Sequence, residues 1–311
     1  MSSIHNILVI VDPTVQQQTA VAKAAVLAQQ LQARLDLFVC DTKAARDLRL
    51  AAHMRKSPTV PFEDSSWQLL DSLAAPLRER GIDVTREVLV ADPLHTALLD
   101  RVKRTCADLV VKDTHHHTLA QRTFLTNTDW ELIRACPVPL LLVKPAPWSP
   151  EHRIGAALDP GHLDDKPRLL DHCILEEAAR LAKVLGRQLH AIHAYIPAAM
   201  VAGAVAVPPL IVDIPVEALA EERKAKLQEL SSLTSHYGLS AANIHLEAGA
   251  VTEVLGRLAR ECEIDIMVMG AVSRRALKRI LIGSTAESVL EQLPCDLLIV
   301  KAPNFAELLA L

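Results

Sequence analysis

Short apolar runs alternate along the first half of the chain with longer segments whose apolar residues recur at helical spacing. The runs are too short for helices and are bounded by turn-forming residues, which is typical of strands buried on both faces of a parallel sheet. Residues 41–66 show neither pattern and are expected to form an irregular connection. Alternating strands and helices predict βαβ units with right-handed crossovers. The predicted strands are 6–11, 35–40, 84–90, 108–112 and 140–144, and the predicted helices are 20–31, 67–80, 95–104 and 129–135.

The same order of elements begins again after a proline-rich stretch. Three prolines fall between residues 145 and 152, where no periodicity is present, so this stretch is interpreted as a linker. The chain is therefore predicted to contain two domains, 1–145 and 152–311. In the second domain the predicted strands are 153–158, 188–195, 244–248, 266–269 and 297–300, and the predicted helices include one that ends near Gly186, 217–237 and 251–263.

The two domains are copies of one another. A shift of 157 positions places 108–144 on 265–301 without a gap and makes nine positions identical. An Asp-Pro pair also ends the first predicted strand of each half, at Asp12 and Asp159. Repetition on this scale indicates two tandem domains of one fold.

Two glycines of the second copy lie where the backbone could approach an anion. Gly270 ends the predicted strand 266–269, and Gly283 directly precedes Ser284, which opens a capping-box pattern with Glu287. A helix N-terminus offers free N–H groups and a favourable dipole, and glycine lacks the Cβ that would keep a phosphate away. The pattern therefore predicts an anion site between the end of the strand and the start of the helix, although turn formation and helix capping alone would also explain these residues.

These residues resemble the nucleotide-binding loop of the universal stress protein family, in which G-x-x-G is followed by nine residues and then by G-[ST]. Here Gly270 is followed by Ser273 at the second glycine position, and nine further residues lead to Gly283-Ser284. Two copies in one chain are most similar to the E-type tandem members of the family in bacteria. The resemblance covers nearly the whole chain.

The resemblance implies a fold, a ligand and a role. The fold is α/β, with two tandem flavodoxin-like (adenine nucleotide α-hydrolase-like) domains, each a five-stranded parallel sheet of order 3-2-1-4-5 with helices on both faces. The ligand is ATP or another adenine nucleotide, held in the second domain by Asp159 on the adenine side and by the loop residues Gly270, Ser273, Gly283 and Ser284. The role is stress resistance, including survival of DNA damage, and the two copies are expected to form an intramolecular pseudo-dimer.

The first copy lacks the glycines of this loop. Asp113, His116 and Thr126 fill the three glycine positions under the same shift. A carboxylate at the first position would repel a phosphate, and side chains at the other two would occupy the space of a close backbone approach. Thr126 keeps a capping pattern with Asp129, so the helix start is expected to persist without the anion site.

The composition of the chain limits the classes of partner and the cellular compartment that are expected for it. The 311 residues carry a net charge of -4 and only 3% aromatic side chains, so no general attraction to nucleic acid or to anionic membranes is expected. Six cysteines are scattered without C-x-x-C or metal-type spacing, which favours reduced thiols and a cytoplasmic location. The longest apolar stretch, 196–212, contains three prolines and is shorter than the ~20 residues of a membrane helix.

Three further features bear on function. Metal binding by His115, His116 and His117 is disfavoured, because adjacent residues in regular structure do not converge on one ion, and no metal site is predicted. The segment 196–215 carries one charge in twenty residues, so it covers a small apolar or lipid-like ligand, covers a partner surface, or packs on its own chain. No catalytic motif is found, so a non-enzymatic binding or regulatory module is predicted, with slow nucleotide hydrolysis as an alternative that would require a divalent ion.

Overall fold

The computed structural model describes residues 4–15, 17–56, 65–116, 123–124, 126–151, 153–160, 169–198, 200, 215–271, 289, 292–302 and 305. The chain divides into two compact units, Met1–Trp148 and Ser149–Leu311. Among the described residues, no helix combines the length and the apolar character needed to cross a bilayer.

Strands and helices alternate in the first unit as the hydrophobic pattern predicts. Five of its strands run parallel, with β3, β2, β1, β4 and β7 as successive neighbours. A short antiparallel pair, β5 with β6, follows β4. The elements are β1 (Asn6–Ile10), α1 (Thr19–Leu31), β2 (Arg34–Asp41), α2 (Lys43–Lys56), α3 (Ser65–Glu79), β3 (Val84–Val90), α4 (Leu94–Thr105), β4 (Leu109–Asp113), β5 (His115–His116), β6 (Thr123–Phe124), α5 (Asn127–Ala135) and β7 (Leu140–Val143).

The second unit repeats this arrangement. Its parallel strands are neighbours in the order β10, β9, β8, β11 and β12. Two short 3-10 turns, Ser235–Tyr237 and Ala241–Asn243, lie between α7 and β10. The elements are β8 (Arg153–Ala157), α6 (Leu170–Leu185), β9 (Leu189–Tyr195), α7 (Val216–Thr234), β10 (Ile244–Ala248), α8 (Val251–Glu261), β11 (Ile264–Gly270) and β12 (Asp296–Val300).

Both units therefore have the predicted doubly wound fold. Numbered within its own unit, each set of five parallel strands has the order 3-2-1-4-5. The central strands are mostly apolar because helices cover them on both sides, and every residue of β1 is buried. In the second unit α6 packs on β8 and β11, and α8 packs on β9 and β11. The sheet order reverses direction between β8 and β11, which is where ligands bind in open α/β sheets.

One helix was not predicted. Residues 43–56 form α2, whereas the sequence pattern assigned 41–66 to an irregular connection. The prediction was wrong because α2 is rich in charged residues and lacks a wide apolar stripe, although alanine, leucine, lysine and arginine all favour helices. The helix expected to begin at Ser284 lies outside the described residues.

Helix ends match their local sequence signals. Thr126 and Asp129 form the expected capping box: the Thr126 hydroxyl accepts from the backbone N–H of Asp129, and the Asp129 carboxylate accepts from that of Thr126. Gly186 ends α6 in the left-handed conformation, with φ of 65°, which glycine adopts without strain.

Candidate functional site

A cavity of about 450 Å³ opens at the carboxyl ends of β8, β9 and β11 in the second unit. Such a volume is in the range of small-molecule pockets. This position follows from the topology of the sheet. The connections between strands run in opposite directions on the two sides of β8, and this opens a gap at the carboxyl edge. Most of the lining is apolar: Ala157, Leu158, Leu170, Ile174, Ile192, Ala194, Ile196, Val251, Leu255 and Met269.

The cavity brings together two of the predicted site residues, Asp159 and Gly270. Asp159 follows β8, and its side chain is 44% exposed, so the carboxylate can meet a ligand in the opening. The backbone N–H of Asp159 donates to Asp171 in the first turn of α6 at 3.1 Å. This bond fixes the chain after β8 against the helix.

His193 and Tyr195 form one side of the cavity at the end of β9. The Nδ1 of His193 lies 2.9 Å from the Leu158 carbonyl oxygen, and because a carbonyl can only accept, Nδ1 carries the proton. Burial lowers the pKa of His193, so the ring is neutral at physiological pH. The His193 and Tyr195 rings are stacked at 6.2 Å, and Lys226 from α7 lies over the Tyr195 ring at 5.4 Å. Lys226 brings a positive charge to the same cavity as the Asp159 carboxylate.

Gly270 ends β11 in close contact with Leu170, the first residue of α6. A Cβ at this position would lie 2.6 Å from the Leu170 Cδ2, well inside contact distance. The glycine is therefore needed for the packing of the strand end on the helix, and it also leaves the backbone at the cavity wall uncovered by a side chain.

Ser273, Gly283 and Ser284 lie outside the described residues. Their predicted part in an anion site stays a prediction. Sequence reasoning missed another set of cavity residues, which come from β9 and from the helices: Leu170, Asp171, His193, Tyr195 and Lys226. The signal for His193 and Tyr195 was available, because the end of the second strand lies beside the end of the first in the order 3-2-1-4-5.

The equivalent corner of the first unit holds a carboxylate. Asp113 ends β4 and is 8% exposed, and its Oδ1 accepts from the backbone N–H of Ala20 in the first turn of α1 at 3.0 Å. Burial is the main cause that raises the pKa of Asp113 to about 6, and the bond from Ala20 opposes it. The first copy thus places its own acidic side chain against a helix N-terminus at the position of Gly270.

Of the histidine run in the first unit, His115 and His116 lie in β5, whereas His117 is outside the described residues. Thr126, at the third glycine position, caps α5. Asp113 and Thr126, two of the residues aligned with the loop glycines, are therefore each bonded to the start of a helix.

Comparison with known proteins agrees with the fold and the repeat. The model of the universal stress protein family matches twice, at residues 3–144 and 153–301. Universal stress protein E of Escherichia coli K12 is 26% identical over 98% of this chain and 96% of its own length. A homologue of that protein in Haemophilus influenzae is also 26% identical, over 95% of this chain and 97% of its own.

Solved structures also resemble this chain over nearly its whole length. A functionally unknown protein of Pseudomonas aeruginosa PAO1 matches with a TM-score of 0.75 and 27% identity, covering 98% of this chain and 95% of that one. A universal stress protein of Archaeoglobus fulgidus matches with a TM-score of 0.65 at 14% identity, covering 95% and 98% of the two chains. The latter likeness concerns the fold alone. With two family domains that span nearly its whole length, the chain belongs to the universal stress protein family.

Proposed function

We propose that this protein is a cytoplasmic binding module of the stress response, in which the cavity of the second domain binds ATP or a related adenine nucleotide without performing chemistry on it. Family membership supports the stress-response role. The observation that carries the ligand proposal is that Asp159 and Gly270, separated by 111 residues (270 − 159), line one cavity at the switch point of the sheet.

The chemistry of the cavity suits a nucleoside. The half-exposed Asp159 carboxylate offers strong acceptors for ribose hydroxyls or an exocyclic amine, and the apolar walls offer a surface for the base. Lys226 brings a positive charge to the same cavity, and the backbone at Gly270 is open to a polyanion. In this proposal the loop residues Ser273, Gly283 and Ser284 complete the phosphate contacts.

A second candidate function is the binding of a small apolar or lipid-like ligand. Two observations favour it: the lining is mainly apolar, and the close packing of Leu170 already accounts for Gly270 without a nucleotide. In that case the nucleotide loop would be vestigial.

Calorimetric titration of ATP into the full-length protein tests the proposal. We expect one ATP per chain. We expect Asp159→Asn to weaken binding about 10-fold, because asparagine keeps an acceptor oxygen but loses the charge that strengthens the hydrogen bond. The matched control is Asp12→Asn, which changes the residue after the first strand of the other domain. Asp12 accepts from Thr14 at 2.8 Å in its own turn, and an asparagine oxygen can keep that bond, so affinity should not change.

The outcomes separate the alternatives. Failure of ATP to bind, together with a fatty ligand in the organic extract of the purified protein, would replace the nucleotide by the apolar ligand. Magnesium-dependent phosphate release that Asp159→Asn abolishes would contradict the non-catalytic part of the proposal and establish a slow hydrolase. Equal weakening by both substitutions would show that the cavity is not the binding site.

A further inference from the structure

Two histidines and a cysteine converge in the second unit on the face of the sheet opposite to His193. His190 lies near the start of β9, His245 lies on the neighbouring strand β10, and Cys262 is the C-cap residue of α8. Since side chains alternate along a strand, His190 and His193 point to opposite faces. This cluster is therefore separate from the cavity of Asp159.

The three side chains are close enough to share an ion. The Nδ1 of His190 and the Nε2 of His245 are 2.9 Å apart, and the Cys262 Sγ lies 3.8 Å from the same Nε2. One ligand atom from each residue falls within 4.8 Å of the others. A pair of imidazoles with one thiol is a donor set for late transition metals, whereas magnesium and calcium prefer oxygen.

The two imidazoles are available as neutral ligands. An imidazole has an ordinary pKa of about 6.5, so both rings are mainly neutral above that pH. Their planes differ by only 8°, and the two nitrogens meet in one N–H···N contact, so a single proton lies between the atoms that an ion would join.

We propose that His190 Nδ1, His245 Nε2 and Cys262 Sγ form a zinc(II) site with a water molecule as the fourth ligand. Zinc–nitrogen bonds of about 2.0–2.1 Å and a zinc–sulfur bond of about 2.3 Å, at tetrahedral angles, place two nitrogens about 3.3 Å apart and nitrogen about 3.6 Å from sulfur. The observed 2.9 and 3.8 Å differ from those values by less than half an ångström. The third pair, His190 with Cys262, lies within 4.8 Å, so it must come closer when the ion binds.

The residues around the proposed site leave a path for the ion and offset the nearby positive charges. His190 is buried, but His245 and Cys262 are partly exposed, which leaves an entry path and a place for the water ligand. Two arginines near the site are each engaged by carboxylates: Arg153 with Glu263 at 3.2 Å, and Arg257 with both Glu247 and Glu261. These carboxylates offset the two nearby guanidinium charges, which would otherwise disfavour a cation.

The binding of zinc moves one proton within a histidine ring and releases another proton to solvent. The proton between the imidazoles moves to the outer nitrogen of its own ring, so the donating histidine changes tautomer and neither ring loses a proton. A thiol has an ordinary pKa of about 8.5, so Cys262 is protonated at neutral pH. Its thiolate forms when zinc binds, so each zinc ion releases one proton to solvent.

The test uses the full-length, reduced protein after chelator treatment, titrated anaerobically with cobalt(II) as a spectroscopic substitute for zinc. We expect one equivalent of cobalt to produce a thiolate-to-cobalt charge-transfer band and the visible bands of a tetrahedral ion, and one equivalent of zinc to remove both. Cys262→Ser should abolish the charge-transfer band. His245→Ala should weaken zinc binding by more than about 100-fold, beyond the 10- to 100-fold typical of losing an outer-shell partner.

The matched control is Cys106→Ser, which removes an exposed thiol of the first unit. It should leave the bands and the release of one proton per zinc unchanged. Loss of the band in Cys106→Ser, its persistence in Cys262→Ser, or no band in the unaltered protein would overturn the proposal. Cys262→Ser differs by one atom at a partly exposed position, so its circular dichroism should match that of the parent and secure the comparison.

Discussion

At the scale of single residues, Asp113 shows how the first domain differs from the second. Its carboxylate occupies the position of Gly270 and accepts from the first turn of α1. The sequence alignment identified the exchange of glycine for aspartate, but it could not show that the carboxylate is buried or which donor it meets. That information depends on the packing of β4 against α1, which brings together residues separated by 93 positions.

Asp113 should make the first domain less stable as the pH rises through the acid range. The pKa of Asp113 is about 6 in the folded protein, against about 3.9 for an unfolded chain, so between those values the folded state keeps a proton that the unfolded state releases. The free energy of unfolding should fall by about 2 kcal/mol between pH 4 and pH 7 through this group, and Asp113→Asn should remove that dependence.

Urea unfolding followed by tryptophan fluorescence measures this effect in the first domain, because all three tryptophans, Trp67, Trp130 and Trp148, lie in the first unit. The control is Asp83→Asn at an exposed position, where the same substitution should leave the pH profile unchanged. A difference between Asp113→Asn and the parent that is the same at pH 4 and pH 7 would contradict the assignment.

At the scale of elements, the start of α5 has kept its cap although the surrounding loop has diverged. The Thr126 hydroxyl accepts from Asp129 at 3.2 Å, and the Asp129 carboxylate also pairs with Lys112 of β4 at 2.8 Å. Thr126→Ala should therefore destabilise the first domain by about 1 kcal/mol, within the range of 0.5–2 measured for N-caps. Thr126→Ser, which keeps the hydroxyl, should cost much less.

The same fluorescence-detected unfolding reads this change directly, since Trp130 lies within α5. Equal losses for Thr126→Ala and Thr126→Ser would show that the threonine methyl group, rather than the cap, stabilises the helix start.

A comparison of the predicted helices and strands with the observed ones shows how much of the fold can be predicted from the sequence. The ten parallel strands could be predicted because each is a short apolar run and the repeat shows the same pattern twice, whereas their order came from the resemblance to the universal stress protein family. The helix α2 could not, because its polar sequence carries little periodicity. The cluster of His190, His245 and Cys262 was also out of reach, since it depends on strand register, with His245 opposite Ile192 rather than at any motif spacing.

At the scale of the whole molecule, the two domains share a fold but differ at the switch point of the sheet. Asp113 is bonded to the first turn of α1 in the first domain, whereas the second has a cavity of about 450 Å³ beside Gly270. In the proposed function the second copy has the ligand site and the first copy does not. A ligand should therefore stabilise one half of the chain selectively.

ATP at about 100 times its dissociation constant should add about 2.7 kcal/mol to the stability of the domain that binds it. We expect hydrogen exchange in β8, β9 and β11 to slow by about 100-fold where it proceeds through unfolding of the second domain. Tryptophan-detected unfolding of the first domain should keep its midpoint in urea. Equal stabilisation in both readouts, or protection confined to β1 and β4, would contradict a nucleotide site restricted to the second domain. Protection of β8 and β11 by an extracted apolar ligand, with no response to ATP, would assign the same cavity to the second candidate function.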